Sequence, residues 1–175
     1  DLYDFAYVPP SHVPFLTTAQ IASIPDPGPF SEWTAEARAA LTRTQVQALN
    51  VSSVRINKLT STQIGWLTTA QIQALDFYDF ANLSPFQVPF LTAAQIASIP
   101  DPGPFSEWTA EARAALTPVQ VQALNVASVR IDKLTPTQIG WLKTGQLQSL
   151  PWTSIELLQA RQIPILLPAQ FVDIP

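Results

Sequence analysis

The chain is built from a unit of about eight residues that recurs along its length. A large apolar residue, usually leucine, returns every eight residues, with one step of nine and one of ten. An α-helix completes about 2.2 turns in eight residues, so a stripe with this spacing would drift by about 80° per unit. One continuous helix is therefore excluded. The positions are Leu16, Ile24, Trp33, Leu41, Leu49, Leu59, Leu67, Leu75, Leu83 and Leu91, and the spacing returns at Leu150, Leu158, Leu166 and Ile174.

A longer repeat is superimposed on this unit. Residues 1–75 recur as residues 76–150 with 16 differences, and residues 151–175 form a partial, degenerate third copy. We predict one continuous array across these three stretches. Each full copy also holds a proline-rich insert, at 25–30 and 100–105, which predicts a rigid turn. The sequence that follows, Ser31 to Leu41, has the highest helix propensity in the chain, with Ser31 or Thr34 as its cap.

Most units read L-T-x-x-Q-I-x-x, as in Leu59 to Ile64. Threonine followed three residues later by glutamine predicts a capping box, in which each side chain binds the other residue's backbone N–H. The leucine before the threonine and the isoleucine after the glutamine are placed as a hydrophobic staple. Lys143 is an exception at the cap position. Proline follows the cap, where its missing N–H costs nothing, at Pro10, Pro85, Pro118, Pro136 and Pro168.

These patterns predict an all-α solenoid or superhelix of very short capped helices. Isolated helices of one or two turns are unstable in water, so neighbouring units must stack. A β-solenoid is the alternative. It is disfavoured because the units do not alternate with period two and because proline after the cap has no role in a strand.

The composition limits the classes of binding partner and site that we expect. Charged residues make up 13% and the net charge is −4, which offers no surface for phosphate backbones, so nucleic acid is not an expected partner. There is no cysteine, and therefore no disulfide or thiolate site. The uncharged stretch Phe80 to Pro100 contains polar residues and internal prolines, which predict that it does not span a membrane. The start at Asp1 without methionine suggests a segment of a longer or processed chain.

Candidates for catalysis or metal binding all have simpler interpretations. His12 is the only histidine, so neither a triad nor a histidine-rich metal site can form, and a cap-like role is favoured. Glu32 and Glu36, with their copies at Glu107 and Glu111, are typical of a first helical turn. Asp76 and Asp79, like Asp1 and Asp4, could approach calcium but lack the ligand density of a calcium loop, and Asp76 is predicted to be an N-cap. We expect no catalytic residue, metal or cofactor.

Aromatic side chains are the remaining candidates for a binding surface. Trp66 and Trp141 each follow a glycine and precede a core leucine in equivalent units, and Tyr3 and Tyr78 are also equivalent. Large aromatic residues more often pack in a core, but a surface repeated every 75 residues could bind a protein or a glycan. These four residues are the predicted binding surface.

The units Leu67 to Leu75 and Leu116 to Leu124 resemble the LTTxQIxAL arrays of giant secreted or surface-displayed bacterial proteins, often described as adhesins or haemagglutinins. The resemblance covers most of the chain, apart from the proline-rich insert. It implies an extracellular or cell-surface location in a bacterium and a structural or adhesive role. Haem binding does not carry over, because His12 is the sole imidazole and methionine and cysteine are absent.

The expected function is therefore a structural or adhesive repeat segment of a larger extracellular bacterial protein that assembles end to end, and not an enzyme. The alternative is a recognition module that binds a protein or glycan through the repeated surface. Substitution of Trp66 and Trp141 distinguishes the two, because a spacer tolerates it and a binding surface loses its ligand.

Overall fold

The computed structural model describes residues 7–24, 29–100, 103–127, 129–158 and 162, and within these ranges it is all-helical without a strand. The predicted all-α class is confirmed, and the β-solenoid alternative is wrong for the described ranges. The α-helices are α1 Thr18–Ala22, α2 Ala35–Ala39, α3 Arg43–Ala48, α4 Ser61–Ile64, α5 Thr69–Ala74, α6 Phe77–Ala81, α7 Ala93–Ala97, α8 Gly103–Glu107, α9 Ala110–Ala114, α10 Pro118–Val121, α11 Pro136–Ile139, α12 Thr144–Gln148 and α13 Trp152–Glu156. Between them lie 3-10 turns at Val13–Phe15, Pro29–Glu32, Val51–Ser53, Ile56–Lys58, Val88–Phe90 and Ile131–Lys133.

The predicted capping boxes start these helices. At α5, the Thr68 hydroxyl accepts the N–H of Gln71 at 3.1 Å, and the Gln71 Oε1 accepts the N–H of Thr68 at 2.9 Å. Two of the N–H groups that a helix start leaves unpaired are satisfied in this way. The same box is present at α1, α3, α4, α7, α10 and α11, with proline at the first position of α10 and α11.

The apolar residue that closes one unit also ends its helix. Leu75 follows α5 with φ −66° and ψ 141°, an extended conformation that interrupts the helix, and Asp76 then caps α6. The Asp76 carboxylate accepts the N–H of Asp79 at 2.9 Å, so the predicted N-cap is confirmed. The same extended conformation interrupts the chain at Leu16, Leu49, Leu59, Leu91 and Leu134.

Thr34, one of the two caps predicted for the stretch from Ser31 to Leu41, is confirmed, while two other local predictions are wrong. The helix does not extend over the whole stretch, because Thr34 adopts φ −64° and ψ 158° and caps α2, with a 3-10 turn before it. The local capping bond to the Ala37 N–H, at 3.1 Å, overrides the helix propensity of the longer stretch. His12 does not cap, because its side chain makes no cap hydrogen bond to the 3-10 turn Val13–Phe15.

The leucines and isoleucines of the units are buried together in one core. Helix α8 packs against α6, which lies about 25 residues earlier in the sequence. There the Trp108 ring stacks on Phe80 with 6.4 Å between ring centroids and contacts Phe105 at 5.7 Å. In the part of the chain that the structure describes, no helix is long and apolar enough to cross a membrane.

Candidate functional site

The most regular polar feature is a buried glutamine that joins two distant segments. The Gln71 Oε1 serves the capping box of its own helix. Its Nε2 donates to the carbonyl oxygens of Val46 at 2.9 Å and Leu49 at 3.0 Å, at the C-terminal end of α3. Carbonyl groups at a helix end have no partner within the helix. One side chain therefore caps the start of one helix and the end of another.

The same arrangement recurs along the chain, and we call it the glutamine ladder. In each case Nε2 donates to carbonyl groups 22 to 32 residues earlier in the sequence. Most of these glutamines are buried, with exposed fractions of 1 to 9%. The ladder consists of Gln45, Gln63, Gln71, Gln87, Gln95, Gln120, Gln138, Gln146 and Gln162, which reach Leu16, Leu41, Leu49, Leu59, Leu67, Leu91, Leu116, Leu124 and Leu134 respectively.

Sequence reasoning predicted the acceptor role of these glutamines and missed the donor role. A signal was present: glutamate completes a capping box as well as glutamine does, yet no unit from Leu16 to Leu91 has glutamate three residues after its cap position. A carboxylate cannot donate to a carbonyl, so a position that excludes glutamate is a position where the NH₂ group is needed. Lys143 supports this, because it cannot accept a capping bond, yet Gln146 still donates to Leu124 at 3.0 Å.

One carboxylate takes a ladder position. Asp79 is buried, and its side chain accepts the backbone N–H of Asp76 at 3.3 Å. Burial raises its pKa; the nearby Asp76 raises it further, while hydrogen bonds from the backbone of Asp76 and Ile56 and the charge of Arg55 oppose the rise. Ile56, whose backbone N–H is one of the groups that lower this pKa, belongs to the ten-residue unit.

The predicted tryptophans are partly buried against the core. The Arg43 guanidinium lies over the Trp66 ring, 5.8 Å from its centroid, a cation–π distance. Gln47 donates to the Trp66 carbonyl at 3.1 Å, and Gln122 donates to the Trp141 carbonyl at 3.2 Å. Proline replaces the arginine next to Trp141, so the two tryptophans share their backbone contacts but not the cation.

Other aromatic side chains are far more exposed. Tyr78 is exposed and meets Phe77 edge to face at 5.6 Å. Phe15, Phe86 and Phe90 are also exposed and were not predicted as surface residues. Tyr3 lies outside the described residues.

The charged candidates are arranged for local structure. Glu36 is fully exposed in the first turn of α2, and hydrogen bonds from its own backbone and from Thr34 lower its pKa. Asp132 forms a two-pronged pair with Arg130, at 2.8 and 3.0 Å, and this bond lowers the pKa of Asp132. Among the described residues, no three histidine, aspartate or glutamate side chains are grouped to hold a metal ion.

No family model, curated protein or solved structure matches the chain. The functional proposal is therefore carried by the geometry of the repeat itself, above all by the glutamine ladder and the exposed aromatic side chains.

Proposed function

We propose that this chain is a structural, solenoid-like segment of a larger surface protein, in which successive turns are joined by the glutamine ladder. The observation that carries the proposal is that every ladder bond reaches back by a similar distance along the sequence, between 22 and 32 residues, or about three to four units. Such a distance is that of one superhelical turn stacked on the previous one. Hydrogen bonds between consecutive turns, repeated at every turn, favour a continuous array over two independent 75-residue domains.

The use of polar groups also favours an architectural role. Enzymes generally keep some buried titratable groups free to react, with pKa values shifted toward their task. In this chain the recurrent buried polar side chain is a neutral amide whose oxygen and nitrogen are both engaged in holding helices. An amide in this arrangement stabilises the array and supplies no acid, base or nucleophile.

The location and the adhesive role rest on the resemblance to LTTxQIxAL arrays. Residues Leu67 to Leu75 carry that pattern. Its glutamine, Gln71, accepts the N–H of Thr68 and donates to the carbonyl oxygen of Leu49. We propose an extracellular or cell-surface location in a bacterium, where a long, weakly charged array displays or spaces other parts of the parent protein. A protein or a glycan is the partner class for the surface of such an array.

Small-angle X-ray scattering tests the continuous array. We expect the scattering of one particle of uniform cross-section, because ladder bonds cross from the first copy to the second at Gln87 and Gln95. Scattering from two compact bodies that tumble independently would contradict the proposal. We also expect a circular dichroism spectrum dominated by the helical signal. A spectrum dominated by the strand signal would contradict the helical array.

A recognition module is the second candidate, and the exposed aromatic side chains favour it. Tyr78, with Phe77 edge to face against it, offers an exposed aromatic surface of the kind that binds sugar rings or protein side chains. Binding of the labelled chain to a glycan array and to immobilised extracellular matrix proteins tests the recognition hypothesis. Loss of binding in Tyr78→Ala or Trp66→Ala, with retention in the control Val119→Ser at an exposed aliphatic site, would support recognition. Binding that is absent or unchanged would favour the spacer.

A further inference from the structure

The ten-residue unit that ends at Leu59 begins with an exposed asparagine, Asn50. The Asn50 Oδ1 accepts the backbone N–H of Ser52 at 3.2 Å, which closes a short turn. In the described part of the chain, this is the only hydrogen bond that the Asn50 side chain makes. The amide oxygen is therefore held in place, while the amide nitrogen is left without a partner.

Asn50, Val51 and Ser52 form the tripeptide Asn-x-Ser, with a middle residue other than proline. In secreted and surface proteins this is the acceptor sequence for N-linked sugars. Val51 is 4% exposed, whereas the residues on either side of it are exposed. The buried valine fixes the turn to the core and leaves Asn50 and Ser52 at the surface. A bulky, polar sugar needs an acceptor in such a position.

The turn also favours the chemistry of sugar transfer. An amide nitrogen must lose a proton when it bonds to a sugar, and the N–H of Ser52 stabilises the negative charge that this loss places on the Asn50 Oδ1. The nitrogen attacks the anomeric carbon of a sugar phosphate. A C–N bond forms as the bond from that carbon to the phosphate oxygen breaks, the phosphate leaves, and a base of the transferase takes the proton.

The second copy provides a natural comparison. Asn125, Val126 and Ala127 are the counterparts of the three residues, and again only the valine is buried. Ala127 has no hydroxyl group, so the second copy lacks the acceptor sequence at the same place in the repeat. The alanine also shows that the array accommodates the loss of this hydroxyl.

Another Asn-x-Ser tripeptide begins at Asn82, and its hydrogen bonds are different. The Asn82 Nδ2 donates to the carbonyl oxygen of Tyr78 at 2.7 Å. The N–H of Ser84 is bonded to Gln87 at 3.0 Å, so it does not serve Asn82 as the N–H of Ser52 serves Asn50. At Asn82 the nitrogen is engaged and the turn is missing.

We infer that Asn50 is the acceptor of an N-linked sugar, which an asparagine-specific glycosyltransferase supplies from a sugar phosphate. The sugar adds a polar, hydrated group to a chain in which only 13% of the residues are charged. The Asn50 side chain takes no part in the glutamine ladder, so its modification leaves the bonds between turns intact. This role goes beyond the proposed array and is tested separately from it.

Glycosylation of the full chain, read out by peptide mass spectrometry, tests this inference. One reaction uses a soluble asparagine-specific transferase with UDP-glucose. The other uses a membrane oligosaccharyltransferase with an oligosaccharide linked to polyprenyl pyrophosphate. We expect sugar on Asn50 and none on Asn125, and the reaction that succeeds identifies the source of the sugar.

Ser52→Ala is the matched variant, because it introduces the residue of the second copy at an exposed position and should leave the circular dichroism spectrum unchanged. It should abolish the modification of Asn50, whereas Ser52→Thr, which keeps a hydroxyl group, should retain it. Asn82 should be modified about tenfold more slowly than Asn50, because its bond to Tyr78 must break first.

An Asn50 that stays unmodified in both reactions would overturn the inference, and so would modification that persists in Ser52→Ala. Modification of Asn82 at the same rate as Asn50 would overturn the role assigned to the turn. Scattering of one uniform particle together with an unmodified Asn50 overturns only the sugar site. Two-body scattering together with a modified Asn50 overturns only the array.

Discussion

The side-chain nitrogen of Gln95 lies 2.7 Å from the carbonyl oxygen of Leu67, 28 residues earlier, while the oxygen of the same amide accepts the N–H of Thr92 at 2.6 Å. A single side chain thus connects the beginning of one helix with the end of another. The cost of burying a polar amide is offset only if both of its ends are bonded. The ladder therefore links local capping to long-range order.

Gln95→Glu should cost about 3 kcal/mol or more of unfolding free energy, because a buried carboxylate would face two carbonyl groups that had lost their donor. The capping box itself survives, since the new side chain keeps an acceptor for Thr92. Gln20→Glu makes the same change at an exposed position and should stay within about 0.5 kcal/mol of the wild type. Urea denaturation of both variants measures the difference. Equal effects at the two sites would show that the donor bonds contribute little.

Gly65→Ala should destabilise the chain by about 1 to 3 kcal/mol through overpacking. The new Cβ would lie 2.7 Å from the Phe90 carbonyl oxygen, and this backbone group cannot rotate away. The φ of Gly65 is −68°, which any residue can adopt, so the effect is steric. Gly145→Ala is the matched control, because nothing lies within 4 Å of its added Cβ, and it should stabilise α12 by about 0.5 to 1 kcal/mol. Thermal unfolding of both variants tests the pair, and a neutral Gly65→Ala would contradict the close approach.

Asp79→Asn should make the chain more stable at pH 7. Burial raises the pKa of Asp79 in the folded state, so the folded chain binds this proton more tightly than the unfolded chain does. The unfavourable contribution of the charge is thus absent at low pH and develops as pH rises through the folded pKa. Unfolding free energies measured from pH 3 to 8 should show the advantage of the variant shrinking toward acid. A variant less stable than the wild type at pH 7 would mean that the charge is needed.

Asp132→Asn should show the opposite pH dependence. The bond from Arg130 lowers the pKa of Asp132, so its favourable contribution is present above the unfolded pKa and is lost as pH falls through the folded pKa. Because Arg130 is half-exposed, the loss at pH 7 should be only about 0.2 to 1 kcal/mol. The same series of denaturation curves measures it, with Asn57 of the first copy as the natural precedent for the substitution. A loss that persists at pH 3 would point to a cause other than the ion pair.

The local structure was predictable because its determinants are adjacent in the sequence. Thr68 and Gln71 are three residues apart, and the hydrogen bonds between them follow from that spacing alone. The cap at Thr34 was one of the two predicted for its stretch, and it is also set by neighbouring residues. The helix propensity of Ser31 to Leu41 has a weaker effect on the structure than the capping bond at Thr34.

The long-range pairing was not predictable because it depends on how many units complete a turn. Gln71 reaches back 22 residues to Leu49, whereas Gln120 reaches back 29 residues to Leu91. The difference comes from the number of units between the partners, which the repeat spacing does not determine. The partial burial of Trp66 and Trp141 has the same origin, because it depends on which distant segment lies beside them.

Hydrogen exchange of the glutamine side-chain amides, resolved by NMR, tests the ladder most directly. If Nε2 bonds join distant helices, the NH₂ protons of Gln45, Gln71, Gln95 and Gln120 should exchange far more slowly than those of Gln20, whose donor faces solvent. Exchange of all these amides as fast as that of Gln20 would contradict the ladder, and with it the claim that these glutamines hold the array together.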